Sequence, residues 1–186
     1  MTKSVRLGKT IPHADGAIIK PAIFSKNNKY RYLLEIEFKD SKGNDSAVVI
    51  LKNPSAATST EADATIRRIE EYFIKNMPKV KSVKILNLFA LRATDAIELN
   101  NESIDVVGID NDSHILNACR NANLIICAWG GNSGINRSIY QSRINQVLLL
   151  IKNKPLFRIS GKKKTIQPLH GMLWGYDYKL EKFLGA

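Results

Sequence analysis

The sequence predicts a single three-layer α/β domain with a mostly parallel central sheet. Apolar runs typical of buried strands alternate with segments of helical periodicity, in the order strand, helix, strand, helix, strand. Strands joined by helices form right-handed βαβ crossovers, which give a parallel sheet. The chain has 186 residues, the size of one domain, and 44% of them are hydrophobic, an ordinary share for a globular protein.

The expected strands are of two kinds. Residues 30–38 alternate between apolar and polar side chains, as a half-buried strand does. Continuous apolar runs, typical of strands covered on both faces, lie at 47–51, 83–88 and 124–129, with a further short strand expected at 155–159. Residues 1–28 are punctuated by Lys, Gly, Pro and Asn and predict an irregular lead-in, so the domain is expected to span 29–186.

Three helices and a helical tail are expected between and after these strands. Thr60 offers an N-cap with Asp63 three residues later, apolar residues then follow at helical spacing, and Pro78 ends the helix. Further helices are expected at 113–122 and 137–152, and a brief one after Tyr176.

The charge of the chain predicts a polyanionic partner. Lys and Arg number 28 against 17 Asp and Glu, a net charge of +11, and residues 114–186 alone carry 11 basic and 2 acidic side chains. Such a field favours DNA or RNA through contacts that weaken as salt rises. A merely soluble basic surface and a membrane-surface role are the alternatives.

Other sequence features exclude or weaken whole classes of function. No apolar run has the roughly 18 residues that a membrane helix needs, and no signal peptide is apparent. Cys119 and Cys127 lie in apolar contexts without metal-ligand spacing, which favours buried thiols in a reducing cytoplasm over a zinc site. We therefore expect a cytoplasmic protein without a metal.

The candidate site consists of the residues that leave the expected strands, because ligands bind at the carboxyl ends of strands in an open parallel sheet. These segments are unusually polar for turns so near a core. The candidates are Asn53, Pro54, Ser55, Asp63, Arg67 and Arg68 after the second strand; Asn87, Phe89, Arg92 and Asp95 after the third; Trp129 and Gly130 after the fourth; and Lys162, Lys163, Lys164 and His170 after the last.

Several of these residues have a structural interpretation beside the functional one. Asn53-Pro54 is also ordinary turn chemistry, and Arg67 and Arg68 also suit a solvated helix face. An amide such as Asn87 in a buried strand costs about 1–3 kcal/mol without partners, so either a structural network or a ligand holds it. The glycines that begin at Gly130 suit either a phosphate or a tight turn.

The last exit and the aromatic residues near it give the clearest functional pattern. His170 lies in a Pro/Gly loop beside the run 162–164, which is suited to contact phosphate, whereas His13 and His114 favour structural roles. Aromatic side chains near the exits can stack on a base, although core packing is their commoner fate. They are Phe89, Trp129, Tyr140 and Trp174.

Five motifs in order resemble the bacterial domain of unknown function 1643 family, over roughly residues 29–175. They are Asn53-Pro54-Ser55-Ala56, residues 63–68, residues 87–95, Ala128-Trp129-Gly130 and Pro168-Leu169-His170. Less specifically, their layout is similar to the uracil-DNA glycosylase superfamily, which implies a parallel-sheet α/β fold, no metal and no cofactor.

The second resemblance also implies roles for individual residues. Asn53 would position the attacking water, and Asp63 would assist it or brace Arg67 and Arg68. Asn87 would read the base edge, and His170 would stabilise the departing base or bind phosphate with residues 162–164. Two positions depart from the superfamily pattern: Lys52 stands where a glycine is expected, and Gly171-Met172 follows His170 where Pro-Ser is usual.

These observations lead to one principal hypothesis and two alternatives. The principal hypothesis is a DNA glycosylase-like hydrolase that removes a damaged or modified base, in repair or in defence against modified foreign DNA. The first alternative is a non-catalytic nucleic-acid-binding module that uses the same crevice. The second is an enzyme acting on free nucleotides or nucleosides, with the strand-exit glycines holding the phosphate.

Overall fold

The described part of the protein contains one sheet of eight strands and three α-helices. The structure is a computed structural model that describes residues 9–54, 57–58, 60–93, 95–161 and 165–184. The strands are β1 (Ala17–Ile19), β2 (Ile23–Phe24), β3 (Arg31–Phe38), β4 (Asp45–Leu51), β5 (Val80–Asn87), β6 (Leu124–Cys127), β7 (Leu156–Ser160) and β8 (Lys179–Leu184). The helices are α1 (Ala64–Asn76), α2 (Asn111–Arg120) and α3 (Arg137–Leu150), and short 3-10 helices lie at Ala96–Asn100 and Gly171–Leu173.

The sheet is mixed, which corrects the prediction of a mostly parallel one. Its strand order is β1-β3-β5-β4-β6-β7-β8, with β2 also paired to β3. The four central strands β5, β4, β6 and β7 are parallel, whereas β1, β2, β3 and β8 are all added antiparallel. The short turn at 39–44, which joins β3 to β4, explains why β3 runs antiparallel to the central strands. A connection between parallel strands needs about a dozen residues or more.

Both ends of the described chain extend this sheet. Residues 17–19 and 23–24 were expected to be irregular, but they pair with β3, and Ile11 forms a further bridge to Ala62. The tail was expected to end in a brief helix, but it forms β8 along β7, where Arg158 Nε contacts Glu181 Oε1 at 2.6 Å. Local sequence patterns do not predict such edge strands, because each pairs with a strand that is distant in the sequence.

The N-cap of helix α1 is Asp63, not Thr60 as predicted. The Asp63 carboxylate accepts hydrogen bonds from the backbone N–H groups of Thr65 at 2.7 Å and Ile66 at 3.0 Å. A carboxylate at this position satisfies helix N–H groups that have no partner within the helix. The cap fixes the Asp63 carboxylate at the start of α1, and its charge acts on the candidate residue His170.

Helices pack against both faces of the sheet, and the described chain is a mixed α/β domain, as predicted. On one face Ile66, Ile69 and Phe73 of α1 pack in a cluster with Val49 and Ile85. On the other face the buried residues of α2 and α3 pack in a second cluster with Ile50 and Leu86. Both cysteines are buried free thiols, and burial raises the pKa of Cys119 to about 12. None of the described helices is long and apolar enough to cross a membrane.

Candidate functional site

A pocket of about 480 Å³ lies at the carboxyl edge of the parallel strands. Residues that follow β4, β6 and β7 line it, among them Lys52, Gly130, Gly131, Ser133, Gln167 and His170. Its volume falls within the range of small-molecule sites, about 300–1,000 Å³. Gly130 and His170, which follow two different strands, thus lie together in one pocket although they are 40 positions apart in the sequence.

His170 is neutral at physiological pH. Burial lowers its pKa to about 4, the positive charge of Lys52 contributes to this shift, and the negative charge of Asp63 opposes it. Its Nδ1 accepts a hydrogen bond from the backbone N–H of Met172 at 3.3 Å, so the neutral ring carries its proton on Nε2. His170 therefore offers the pocket a hydrogen-bond donor and no positive charge.

Lys52 is a buried ammonium group in the same pocket, with only 6% of its surface exposed. Its Nζ donates to Ser133 Oγ at 2.7 Å and lies 5.7 Å from the centre of the Tyr140 ring. Burial lowers the pKa of Lys52. Lys52 was not among the candidates predicted from the sequence. Its position directly after the five-residue apolar run 47–51 is a sequence signal that points to it.

The loop after β6 depends on Gly130 for its close approach to His170. Gly130 has a φ of +71°, and a Cβ added there would lie 2.9 Å from the Cβ of His170. The Tyr140 hydroxyl donates to the Gly130 carbonyl at 2.8 Å, which fixes the loop from the other side. The glycine therefore serves backbone geometry and the packing of two pocket loops.

Gly130→Ala is expected to destabilise the protein by about 1–3 kcal/mol, because it adds left-handed strain and a clash with His170. Gly131→Ala is the matched control, since an added Cβ there meets nothing within 4 Å. Urea unfolding of the two variants measures the difference. Equal stabilities would show that the contact between the two loops does not matter.

Asp63 connects the pocket to a second group of buried residues. Its side chain is buried, and its charge acts on both His170 and Arg31.

Asn53 lies just after β4 and donates from Nδ2 to the carbonyls of Ala93 at 3.0 Å and Pro54 at 3.3 Å. These bonds use the donor side of the amide, and Oδ1 accepts no hydrogen bond from the described residues, as a water-positioning role requires.

Asn87 has no exposed surface, and neither amide atom has a hydrogen-bond partner within the described chain. Its backbone carbonyl accepts from the Nδ2 of Asn111 at 3.0 Å. The sequence allowed either a structural hydrogen-bond network or a ligand to hold the Asn87 side chain. The described residues form no such network around it. The same condition holds for Nε and Nη2 of Arg31, which is 1% exposed and was not predicted.

Arg67 and Arg68 do not point into this pocket. Arg67 Nε contacts Glu71 Oε1 at 2.8 Å, and its Nη1 donates to the carbonyls of Pro12 and His13 at 3.0 Å. The guanidinium of Arg68 lies 4.5 Å from the centre of the Tyr176 ring. Glu71, one turn further along α1, is therefore the carboxylate that pairs with Arg67.

Four further candidates lie in the framework of the fold: Pro54, Phe89, Asp95 and Trp129. Phe89 and Trp129 are almost fully buried in the core, and Trp129 Nε1 donates to Gln167 Oε1 at 3.0 Å, so neither side chain presents a face to a base. Pro54 is buried, and Asp95 caps a 3-10 helix. Arg92 lies beside Arg31, and its Nη1 donates to the carbonyl of Asn28 at 3.2 Å. The candidates Ser55, Lys162, Lys163 and Lys164 lie outside the described residues.

The two histidines that the sequence assigned to structural roles contact framework residues. His13 Nδ1 lies 2.5 Å from Glu70 Oε1. The His114 ring stacks on Tyr32, with 5.0 Å between centroids.

A family model described as a protein of unknown function, DUF1643, matches residues 31–172, which is more than half of the chain. The chain belongs to the DUF1643 family. The match includes β3 to β7 of the DUF1643 sheet and the pocket residues from Lys52 to Met172. Among curated proteins and among solved structures, no match is found.

Proposed function

We propose that this protein hydrolyses the N-glycosidic bond of a nucleotide in nucleic acid and so removes a damaged or modified base. The observation that carries the proposal is a neutral histidine, His170, in a pocket at the strand edge, within the fields of the positive Lys52 and the negative Asp63. The motif layout, similar to that of the uracil-DNA glycosylase superfamily, supports the same reaction.

The charges in the site suit heterolytic cleavage of a carbon–nitrogen bond. As the bond between C1′ and the base breaks, the sugar becomes an oxocarbenium-like cation and the base departs with the electron pair. A fixed carboxylate stabilises the cation, and a fixed ammonium group and an imidazole N–H stabilise the base anion. Asp63 would serve the sugar, Lys52 and His170 the base.

Water completes the reaction at C1′. The water oxygen forms the new bond to C1′, and the proton that it loses neutralises the departing base, so the products are the free base and an abasic sugar. Asn53 would hold this water through its Oδ1, because its Nδ2 is occupied by backbone carbonyls. Asn87 would read the edge of the base with an amide that has no partner among the described residues.

The surface around the pocket supports a polymeric substrate. Met172 and Leu173 line the pocket and are 50% and 56% exposed. Apolar side chains at such positions can enter between base steps and help to hold a distorted strand. The net charge of +11 supplies the attraction to the phosphate backbone. In the cytoplasm such a reaction would serve repair or defence against modified foreign DNA.

The experiment is incubation with oligonucleotides that carry a panel of modified bases, followed by alkaline cleavage at abasic sites. We expect strand breaks at one class of modified base, and mass spectrometry should detect the released base. His170→Ala should remove most of the product. Nucleic-acid binding without an abasic product from any substrate would contradict the enzymatic proposal, and equal release from free nucleotides would contradict the polymeric substrate.

A further inference from the structure

Arg31 presents an unused pair of hydrogen-bond donors inside the protein. The residue begins β3 and is 1% exposed, and its Nη1 donates to the carbonyl of Ala57 at 2.7 Å. Its Nε and Nη2 have no hydrogen-bond partner in the described part of the chain. These two N–H groups lie on the same edge of the guanidinium, the edge that binds a carboxylate or phosphate through two parallel hydrogen bonds.

A second arginine increases the positive charge at this place. Arg92 lies close enough for its charge to disfavour that of Arg31, and its own buried Nε also has no partner among the described residues. Its position is fixed by the Asn28 carbonyl and by the Phe24 ring, whose centre is 5.2 Å from the guanidinium. Asp63 supplies one negative charge against these two positive ones.

Asn87 lies at the same end of the neighbouring strand. β3, which Arg31 begins, pairs antiparallel with β5, which Asn87 ends, and the Arg31 N–H donates to the Ala90 carbonyl at 3.0 Å, three residues after Asn87. The unpartnered Asn87 amide, assigned above to the edge of the base, therefore lies at the same end of this strand pair as Arg31. Two like charges and several unpaired donors are costly to bury, and a bound anion removes both costs at once.

We propose that Arg31 and Arg92 form a buried site for a phosphate group of the nucleotide substrate. The donor edge of Arg31 binds two phosphate oxygens, and Arg92 contacts a third. The assignment to a nucleotide rests on the proposed function, whereas anion binding follows from the arginines alone. The charge of Asp63 acts on both Arg31 and His170, which is consistent with a phosphate site near the pocket for the base.

The test measures binding of inorganic phosphate, a nucleoside 5′-monophosphate and a short oligonucleotide to the full chain, by titration calorimetry and thermal shift. We expect the wild type to bind at least one of these probes, and Arg31→Met to weaken that binding at least tenfold. Arg31→Lys keeps the charge but loses the paired donors, so it should weaken binding about fivefold or more. Arg120→Met, at an exposed arginine at the end of α2, is the control and should bind like the wild type.

The variants keep the proposal testable. Met replaces a buried charge by an apolar side chain of similar length, a change that proteins often tolerate. If Arg31→Met does not fold, Arg92→Met and Arg31→Lys carry the comparison. Binding of the monophosphate alone identifies a terminal phosphate, and binding of the oligonucleotide alone an internucleotide one; both support the site. No response of the wild type to any probe, or unchanged affinity in the Arg31 variants, would overturn it. Because none of these measurements requires base release, the phosphate site and the proposed reaction succeed or fail separately.

Discussion

Asp63→Asn is expected to reduce the rate of base release by about 10²–10³-fold, the effect of removing one electrostatic group from a preorganised site. The carboxylate is buried at the start of α1, where its negative charge acts on His170 and Arg31. If the sugar becomes cationic in the transition state, this charge stabilises that state more than the bound substrate. The loss should therefore appear in kcat more than in KM.

This substitution separates chemistry from folding. Asparagine is about as good an N-cap as aspartate, so α1 should keep its first turn, while loss of the charge that acts on buried Arg31 is expected to lower the free energy of unfolding. Asp95→Asn is the matched control, because Asp95 caps the 3-10 helix Ala96–Asn100 in the same manner. It should leave kcat unchanged.

The measurement is single-turnover release of the best base found in the oligonucleotide panel, together with urea unfolding of each variant. A rate of Asp63→Asn within about threefold of the wild type, with an intact fold, would show that the charge of Asp63 does not act on the reaction. A similar loss in Asp95→Asn would instead attribute the effect to helix capping.

The central strands and the helices could be predicted from the sequence because local patterns encode them. The apolar runs at 47–51 and 124–129 lie within or overlap β4 and β6. Their parallel pairing brought Gly130 and His170 to one edge, as the strand-exit rule requires. Pairing at the sheet edges is not encoded in this way, so β1, β2 and the strand nature of the tail were missed.

The candidate site was predicted less completely than the fold, because burial and partners are three-dimensional properties. Asp63 and Arg67 are four positions apart in one motif. The charge of Asp63 nevertheless acts on His170, whereas Arg67 binds Glu71 and the backbone of the lead-in segment. Arg31 follows Tyr30 in a stretch that alternates like an amphipathic strand, where an arginine ordinarily faces water. Only the fold shows that this guanidinium is buried.

The stability of the protein is expected to fall as the pH decreases from about 6.5 to about 4, because of His170. The ordinary pKa of histidine is 6.5, and burial lowers the pKa of His170 in the folded protein to about 4. Between these values the unfolded chain binds a proton that the folded protein does not, so acidification favours unfolding. The contribution is fully present above pH 6.5 and is lost as the pH falls through the folded pKa. Its full size is up to about 3 kcal/mol.

Comparison with His170→Gln isolates this contribution from those of the carboxyl groups. Glutamine carries no titratable proton, so the difference in unfolding free energy between wild type and variant should shrink on going from pH 7 to pH 4. His114→Gln is the control: it removes a histidine that stacks on Tyr32, outside the pocket. Urea unfolding at pH 7, 5.5 and 4.5 measures the three proteins. If His170→Gln keeps the same pH dependence as the wild type, His170 is not held neutral by burial. The reaction would then lose the neutral N–H donor on which the stabilisation of the departing base depends.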